Sequence, residues 1–213
     1  MNIRSYISTE NNRLKRYKKI KKLLNIKISD KILDIGCGKK DKSFTWFNNE
    51  NKIVGLDIVE SCEIVKDNFR YIKGDGANLP FKDKEFDVAI SIGVLEHIHP
   101  KEKFIKMLKE IERVGKKYAI VVPHRYCFIE PHFNLPFWYF YPDALKRFLI
   151  SHFNLGSQCR NSRGEYQKLN YYPAGFYLNL LRGSKVHHQF YLGCLLYYII
   201  YKNQFEDRIN GFK

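Results

Sequence analysis

Three aspartates stand beside glycines at points where apolar runs end. Asp34 precedes Gly36-Cys37-Gly38, Asp57 closes "IVGLD", and Asp75 lies between Gly74 and Gly76. A carboxylate accepts hydrogen bonds from hydroxyls and amines and offsets positive charge, while glycine lets backbone come close to a ligand. Asp57, about 20 residues past the glycines, is where a carboxylate would accept both hydroxyls of a ribose. Asp75 could accept from an exocyclic amine, and Asp34 could offset a cationic group. A dinucleotide fits less well. Its GxGxxG fingerprint needs a third glycine where this chain has Asp41, and a carboxylate beside a pyrophosphate costs affinity. A Walker loop, GxxxxGK[ST], needs glycines farther apart. The acids favour a phosphate-free ligand with cationic groups and sugar hydroxyls.

A row of acids needs a sheet to line it up. Short Ile- and Val-rich runs occur at 31–36, 52–58, 69–74, 86–92 and 117–122. They are apolar at nearly every position, as expected of parallel strands buried on both faces. Between them, residues 100–115 read as a helix, with Pro100 at its first turn, Phe104, Ile105, Leu108 and Ile111 on one face, and Gly115 as its stop. Residues 59–68 leave room only for a turn or a single helical turn. Strands alternating with helices predict an α/β fold with a doubly wound, mostly parallel sheet, whose ligands bind outside the carboxyl ends of the strands. Leu14, Tyr17, Ile20, Leu23 and Leu24 have helical spacing within 10–25, with lysines and arginines on the other faces. This predicts a basic amphipathic helix on the domain edge. Residues 124–141 are aromatic and broken by prolines, so a packed loop is expected. Beyond it, 142–152 and 171–183 read as helices, and 153–160 and 194–201 as strands.

"ILDIGCG", "VGLDI", "GDGANLPF" and "FDVAISIGVLEHI" occur in that order at suitable spacing. Together they resemble the class I S-adenosylmethionine-dependent methyltransferases, in particular the "type 11" group of small-molecule enzymes. The resemblance covers about residues 28–123. It implies a Rossmann-like seven-stranded sheet and S-adenosyl-L-methionine as cofactor. By the same resemblance, Gly36 and Gly38 back the methionine part, with Asp34 close to it. Asp57, with Ile58 next to it, binds the ribose, Asp75 and Gly76 line the adenine, and the Ser91–Gly93 backbone faces the methionine ammonium. His97, in "LEHI", matches a position that is structural in many members and that can also contact ligand. "GCGKK" departs from the pattern at Lys40, where many members keep a small residue, and this leaves the roles of Lys39 and Lys40 open. One domain is expected over 1–213: a basic helix within 1–29, a cofactor-binding core at 30–123 and an acceptor-side segment at 124–213.

Methyl transfer from a sulfonium is an in-line displacement. The cofactor supplies the electrophile and the protein places the acceptor. A hydroxyl acceptor also needs a base. The candidate catalytic residues are His124, after the fifth strand in "VVPHR", and His132, in "EPHFNLPFW". His97-x-His99 has a ligand-like look, but no zinc spacing such as CxxC…HxxxH appears, so no metal is expected.

The net charge of +15 favours anionic partners. A small-molecule acceptor that is anionic or lipid-linked, such as a sugar or a lipid-linked glycan, is the first expectation. An RNA methyltransferase docking through its basic face is the alternative, although no RRM or KH motif is present. No Asn/Asp-Pro-Pro-aromatic tetrapeptide follows the fourth strand either. A third reading is a non-catalytic module that keeps the cofactor pocket as scaffold. The apolar stretch Phe190–Tyr201 is shorter than the roughly 20 residues a spanning helix needs, so no transmembrane segment is expected, only peripheral membrane contact through aromatic side chains. The amino terminus is polar, and the five cysteines are scattered and never form CxxC. Free thiols in a cytoplasmic, reducing compartment are therefore expected.

Overall fold

The computed structural model describes residues 10–39, 51–64, 66–130, 132–133, 135–153, 155–156, 159, 165–191 and 194–203. Lys40 and Asp41 lie outside them. Helix α1 (Glu10–Leu24) leads into strands β1 (Ile32–Ile35), β2 (Ile53–Asp57), β3 (Phe69–Lys73) and β4 (Phe86–Ile92). A 3-10 turn (Leu95–His97), helix α2 (Lys101–Val114) and strand β5 (Gly115–Pro123) follow. A short pair, β6 (Ile129–Glu130) and β7 (Leu135–Pro136), precedes a second 3-10 turn (Trp138–Phe140) and helix α3 (Asp143–Phe153). Helix α4 (Ala174–Leu180) and strands β8 (Lys185–Tyr191) and β9 (Cys194–Lys202) complete the described chain.

Seven strands form one sheet in the order β3-β2-β1-β4-β5-β9-β8. The first five run parallel, and β9 is antiparallel to both β5 and β8. Alternate residues feed opposite faces, as the period of a strand requires. Leu33 and Ile35 join Phe104, Leu108 and Ile111 of α2 and Tyr177 of α4 on one side. Ile32, Ile53, Val88, Ile90 and Val121 meet Tyr17, Ile20 and Leu24 of α1 on the other. Ile20 and Leu24 are fully buried, and each such side chain contributes about 1.5–3 kcal/mol. Helix α1 therefore lies on the face of the sheet, against β5 and β9, and not on the domain edge as its basic surface suggests. Its three-and-four spacing of large apolar residues needs a flat apolar partner, and the middle of the sheet supplies one.

The junction after α2 explains Gly115. Its N–H bonds back to the Ile111 carbonyl, and the residue is already extended (φ −93°). A Cβ there would sit 2.8 Å from that of Ala89 on the neighbouring strand. Gly115 thus lets helix pass directly into strand.

The carboxyl-terminal half departs from expectation in three places. Of the strand expected at 153–160, Phe153 belongs to α3, residues 155–156 and 159 are not in a strand, and the others lie outside the described residues. The seventh strand is β8 instead, a "KVHHQFY" edge whose polar residues hide its strand character. Helix α4 is shorter than 171–183, because Pro173 fixes its start in extended backbone. Residues 124–141 are also more ordered than a loop. They hold the β6–β7 pair, and Phe133 and Trp138 stack at 3.9 Å in a small core with Ile150, Cys159 and Leu169.

Candidate active site

The carboxyl end of β1 turns through Gly36 (φ 83°) and Gly38 (φ 74°), a region that favours glycine. A Cβ on Gly36 would sit 2.3 Å from Val94 Cγ2, so the turn and the segment after β4 are in contact. The Gly36 N–H donates to the Leu56 carbonyl at 2.7 Å. Asp57 Oδ2 accepts from the Gly38 N–H at 2.8 Å, and Oδ1 accepts from the Val59 N–H at 3.3 Å. The Tyr71 hydroxyl donates to the Val59 carbonyl at 2.6 Å. Burial first, and the Asp57 charge second, push that phenol up to about 12.

A cavity of about 470 Å³ opens on this turn. Asp34, Gly36, Cys37, Gly38, Lys39 and Ile92 line it from the sheet side, and Glu63 borders it. Arg13, Arg16 and Tyr17 of α1 form the opposite wall. These arginines were not singled out in the sequence. They flank Tyr17 on the helix, so a residue next to the apolar stripe was the available signal. Arg16 also lies over the Tyr197 ring at 4.3 Å.

The other expected cofactor residues have distinct settings. Asp75 Oδ2 pairs with Lys103 Nζ at 2.8 Å, and Oδ1 accepts from the Ala77 N–H at 3.0 Å. Burial acts to raise the Asp75 pKa, but these two hydrogen bonds and the lysine charges outweigh it and hold the carboxyl below its usual range. Gly76 faces the core, where a Cβ would sit 3.0 Å from Ile35 Cγ2 and Met107 Cε. Ile58 is 69% exposed beside Asp57. Ser91 is buried at the end of β4, and its hydroxyl has no hydrogen-bond partner among the described residues.

Past β4, Gly93 (φ 69°) leads into the 3-10 turn carrying Glu96 and His97. The backbone of that turn is held by Asn170, whose N–H donates to the Glu96 carbonyl at 2.8 Å and whose Nδ2 donates to the Ile98 carbonyl at 2.7 Å. His132 faces it from the β6–β7 segment. Its Nδ1 lies 2.7 Å from Glu130 Oε1, and Glu130 Oε2 accepts from the backbone N–H groups of His132 and Phe133. His132 Nε2 lies 3.9 Å from Glu96 Oε1, and the rings of His97 and His132 meet edge to face at 4.9 Å. Burial pushes Glu96 up to about 7, against the pull of His132. Burial, then His132 and His99, push His97 down to about 4. For His132, burial acts to lower the pKa, but the hydrogen bond and charge of Glu130 raise it overall.

The histidines expected on the acceptor side therefore part company. His132 joins Glu96 and His97. The His124 ring packs on Tyr198 at 4.5 Å, with His188 beyond it, and its Nδ1 accepts from the Tyr126 N–H at 3.0 Å. His99 turns to the Lys168 carbonyl, 2.6 Å from its Nε2, so His97 and His99 do not act as a pair. Glu96 and Glu130 were not singled out in the sequence, although a carboxylate two residues before His132 is a readable sign of an oriented imidazole.

A second cavity of about 800 Å³ lies beside the acceptor-side segment, lined by aromatic rings and by Lys146, Arg147 and Lys168. Tyr171 lines it too. Burial and then the Glu130 charge push the Tyr171 phenol well up, which connects this wall to the carboxylate that holds His132.

Residues 33–122 match the family model described as a methyltransferase domain. The chain is 33% identical over 116 residues to a demethylmenaquinone methyltransferase of Staphylococcus saprophyticus, covering 49% of this chain and 48% of that protein. It is 29% identical over 83 residues to the tRNA (carboxymethyluridine(34)-5-O)-methyltransferase of Saccharomyces cerevisiae, covering 37% and 29%. The chain thus spans about half or less of the length of these curated relatives. Among solved structures, a Burkholderia thailandensis 1,6-didemethyltoxoflavin-N1-methyltransferase with bound 1,6-didemethyltoxoflavin and S-adenosylhomocysteine superposes with a TM-score of 0.58 at 16% identity. That superposition covers 92% of this chain and 81% of the other and shows a shared fold. The expected resemblance to S-adenosylmethionine-dependent class I methyltransferases and the seven-stranded fold class are borne out.

Proposed function

We propose that this methyltransferase-type chain transfers a methyl group from S-adenosylmethionine to a small-molecule acceptor that enters beside Glu96 and His132. The observation that carries the reading is the cavity at the Gly36–Gly38 turn, with Asp34 in its wall and Asp57 bonded to the N–H of Gly38, which lines it. A carboxylate has about four lone-pair sites, and Asp57 uses two on backbone N–H groups. The remainder take the ribose hydroxyls. Asp75 takes the adenine amine, and the methionine lies over the turn towards Ser91 and Gly93. Arg13 and Arg16 give its carboxylate a cationic wall, and Asp34 faces its ammonium.

The chemistry then asks little of the protein beyond placement. The acceptor atom attacks the methyl carbon, and the carbon–sulfur electron pair leaves with sulfur as S-adenosylhomocysteine. The aromatic and basic cavity beside Tyr171 supports an acceptor that is anionic or carries an apolar tail. No helix among the described residues is long and apolar enough to cross a membrane, so such an acceptor would be met at a surface.

The charge of +15 and a relative named for tRNA support RNA as the second reading. Calorimetric titration with S-adenosylhomocysteine tests the cofactor site, with one site per chain expected and no heat overturning the reading. Binding of RNA that falls steeply with salt would move the acceptor assignment to RNA.

A further inference from the structure

We infer that Glu96, His97 and His132 form a binding site for a divalent transition-metal cation on the acceptor side of the cofactor cavity. Their donor atoms all lie within 4.8 Å of one another. Bonds of about 2.1 Å to a central cation join donors roughly 3–4 Å apart, so the widest pair must close by about 1–2 Å to complete the set. Two imidazoles and a carboxylate suit zinc, manganese, cobalt or iron, and disfavour the all-oxygen preferences of magnesium and calcium.

Three further features point to a cation. His132 Nδ1 lies against Glu130 Oε1 at 2.7 Å, which points Nε2 at Glu96 Oε1, 3.9 Å away. That separation is too long for a hydrogen bond, so the two atoms do not satisfy each other directly. Glu96 is 1% exposed, and its Oε2 has no hydrogen-bond partner among the described residues. A buried carboxylate oxygen without a partner costs several kilocalories in the apo protein, a cost that a cation removes. Finally, Glu130 behind His132 is the carboxylate–histidine arrangement that orients a metal-bound imidazole. The expectation of no metal came from spacing within one segment. Here the third ligand arrives from the β6–β7 segment, which no local spacing reveals.

The site's role rests on the methyl-transfer reading, although its existence does not. Three protein ligands leave positions for an acceptor oxygen. Gly93 follows Ile92 of the cavity wall and puts no side chain before Glu96: a Cβ there would lie 3.7 Å from Glu96 Oε1. The acceptor class is accordingly a hydroxyl compound. A cation lowers the hydroxyl pKa, the proton leaves to solvent, the oxygen's pair forms the bond to the methyl carbon, and the carbon–sulfur pair departs with S-adenosylhomocysteine.

The test uses the full chain, stripped with chelator and titrated with Co²⁺. One equivalent should bind with visible d–d absorption, and His97→Ala and His132→Ala should each weaken it about 100-fold or more. Glu130→Gln should weaken it about 10–100-fold. Should a variant fail to fold, the Cu²⁺-loaded wild type still decides, since its electron spin resonance should show coupling to two imidazole nitrogens. No stoichiometric Co²⁺ binding, or binding undiminished in both folded histidine variants, overturns the site. Separate titration with S-adenosylhomocysteine distinguishes the two readings. Cobalt binding without cofactor binding would remove methyl transfer and leave the metal site, and the converse would do the opposite.

Discussion

Asp57 Oδ2 accepts the Gly38 N–H at 2.8 Å, tying the end of β2 to the glycine turn after β1. One side chain thus fixes a residue that lines the cavity and, on the proposed reading, offers its remaining lone pairs to the ribose. Loss of this group removes both effects. Asp57→Ala should weaken S-adenosylhomocysteine binding by about 1–3 kcal/mol, and Asp57→Asn by less, because the amide oxygen still accepts from Gly38. Isothermal titration of both variants checks this, and affinity equal to wild type would place the ribose elsewhere.

The contact between Gly36 and Val94 makes a second expectation. An alanine at 36 carries both a left-handed φ and a methyl 2.3 Å from Val94 Cγ2. Gly36→Ala should destabilise the fold by about 1–3 kcal/mol. Adding Val94→Ala should recover only the steric part, since the backbone strain stays. Urea unfolding of the single and double variants measures the split, and full recovery would mean the dihedral angle is unimportant.

Much of this arrangement could be read from residue types alone. Most of the parallel strands announce themselves as Ile- and Val-rich runs, because burial on both faces leaves few polar positions. Asp34, Asp57 and Asp75 then follow at their carboxyl ends. β8 was not legible, because an edge strand has one neighbour and tolerates Lys185, His187 and His188. Nor was the meeting of Glu96 with His132, which depends on how the β6–β7 segment folds over the 3-10 turn. The arginines of α1 were visible as charge but not as a wall. Their position depends on which face of the sheet Ile20 and Leu24 choose.

Acid should unfold the protein partly through Glu110. Its Oε1 accepts from Arg113 Nε at 2.7 Å, and its Oε2 accepts from the Leu79 N–H at 2.8 Å. The Arg113 hydrogen bond lowers the Glu110 pKa against the opposing effect of burial. A carboxylate with a depressed folded pKa stabilises above its unfolded pKa, and that stability is lost as pH falls through the folded one. Glu110→Gln should therefore cost about 1 kcal/mol at pH 7, after allowance for partial exposure, and the deficit should shrink on acidification. Urea midpoints at neutral and acid pH check the sign, and a deficit that grows on acidification would contradict it.

Lys117 and Asp30 pose the opposite problem, a charge pair under the sheet. Lys117 Nζ lies 2.7 Å from Asp30 Oδ2, and the two side chains are 7% and 12% exposed. Asp30 also accepts from the Lys27 N–H at 3.0 Å, so it closes the turn between α1 and β1. Removing the acid alone strands a buried ammonium on β5, and Asp30→Ala should cost about 3–5 kcal/mol. Removing both charges in Asp30→Leu with Lys117→Met restores a paired interior and should recover most of the loss, short of the Lys27 bond. The double-mutant cycle in urea isolates the coupling. Additive losses would show that the two charges do not couple and would contradict a buried pair.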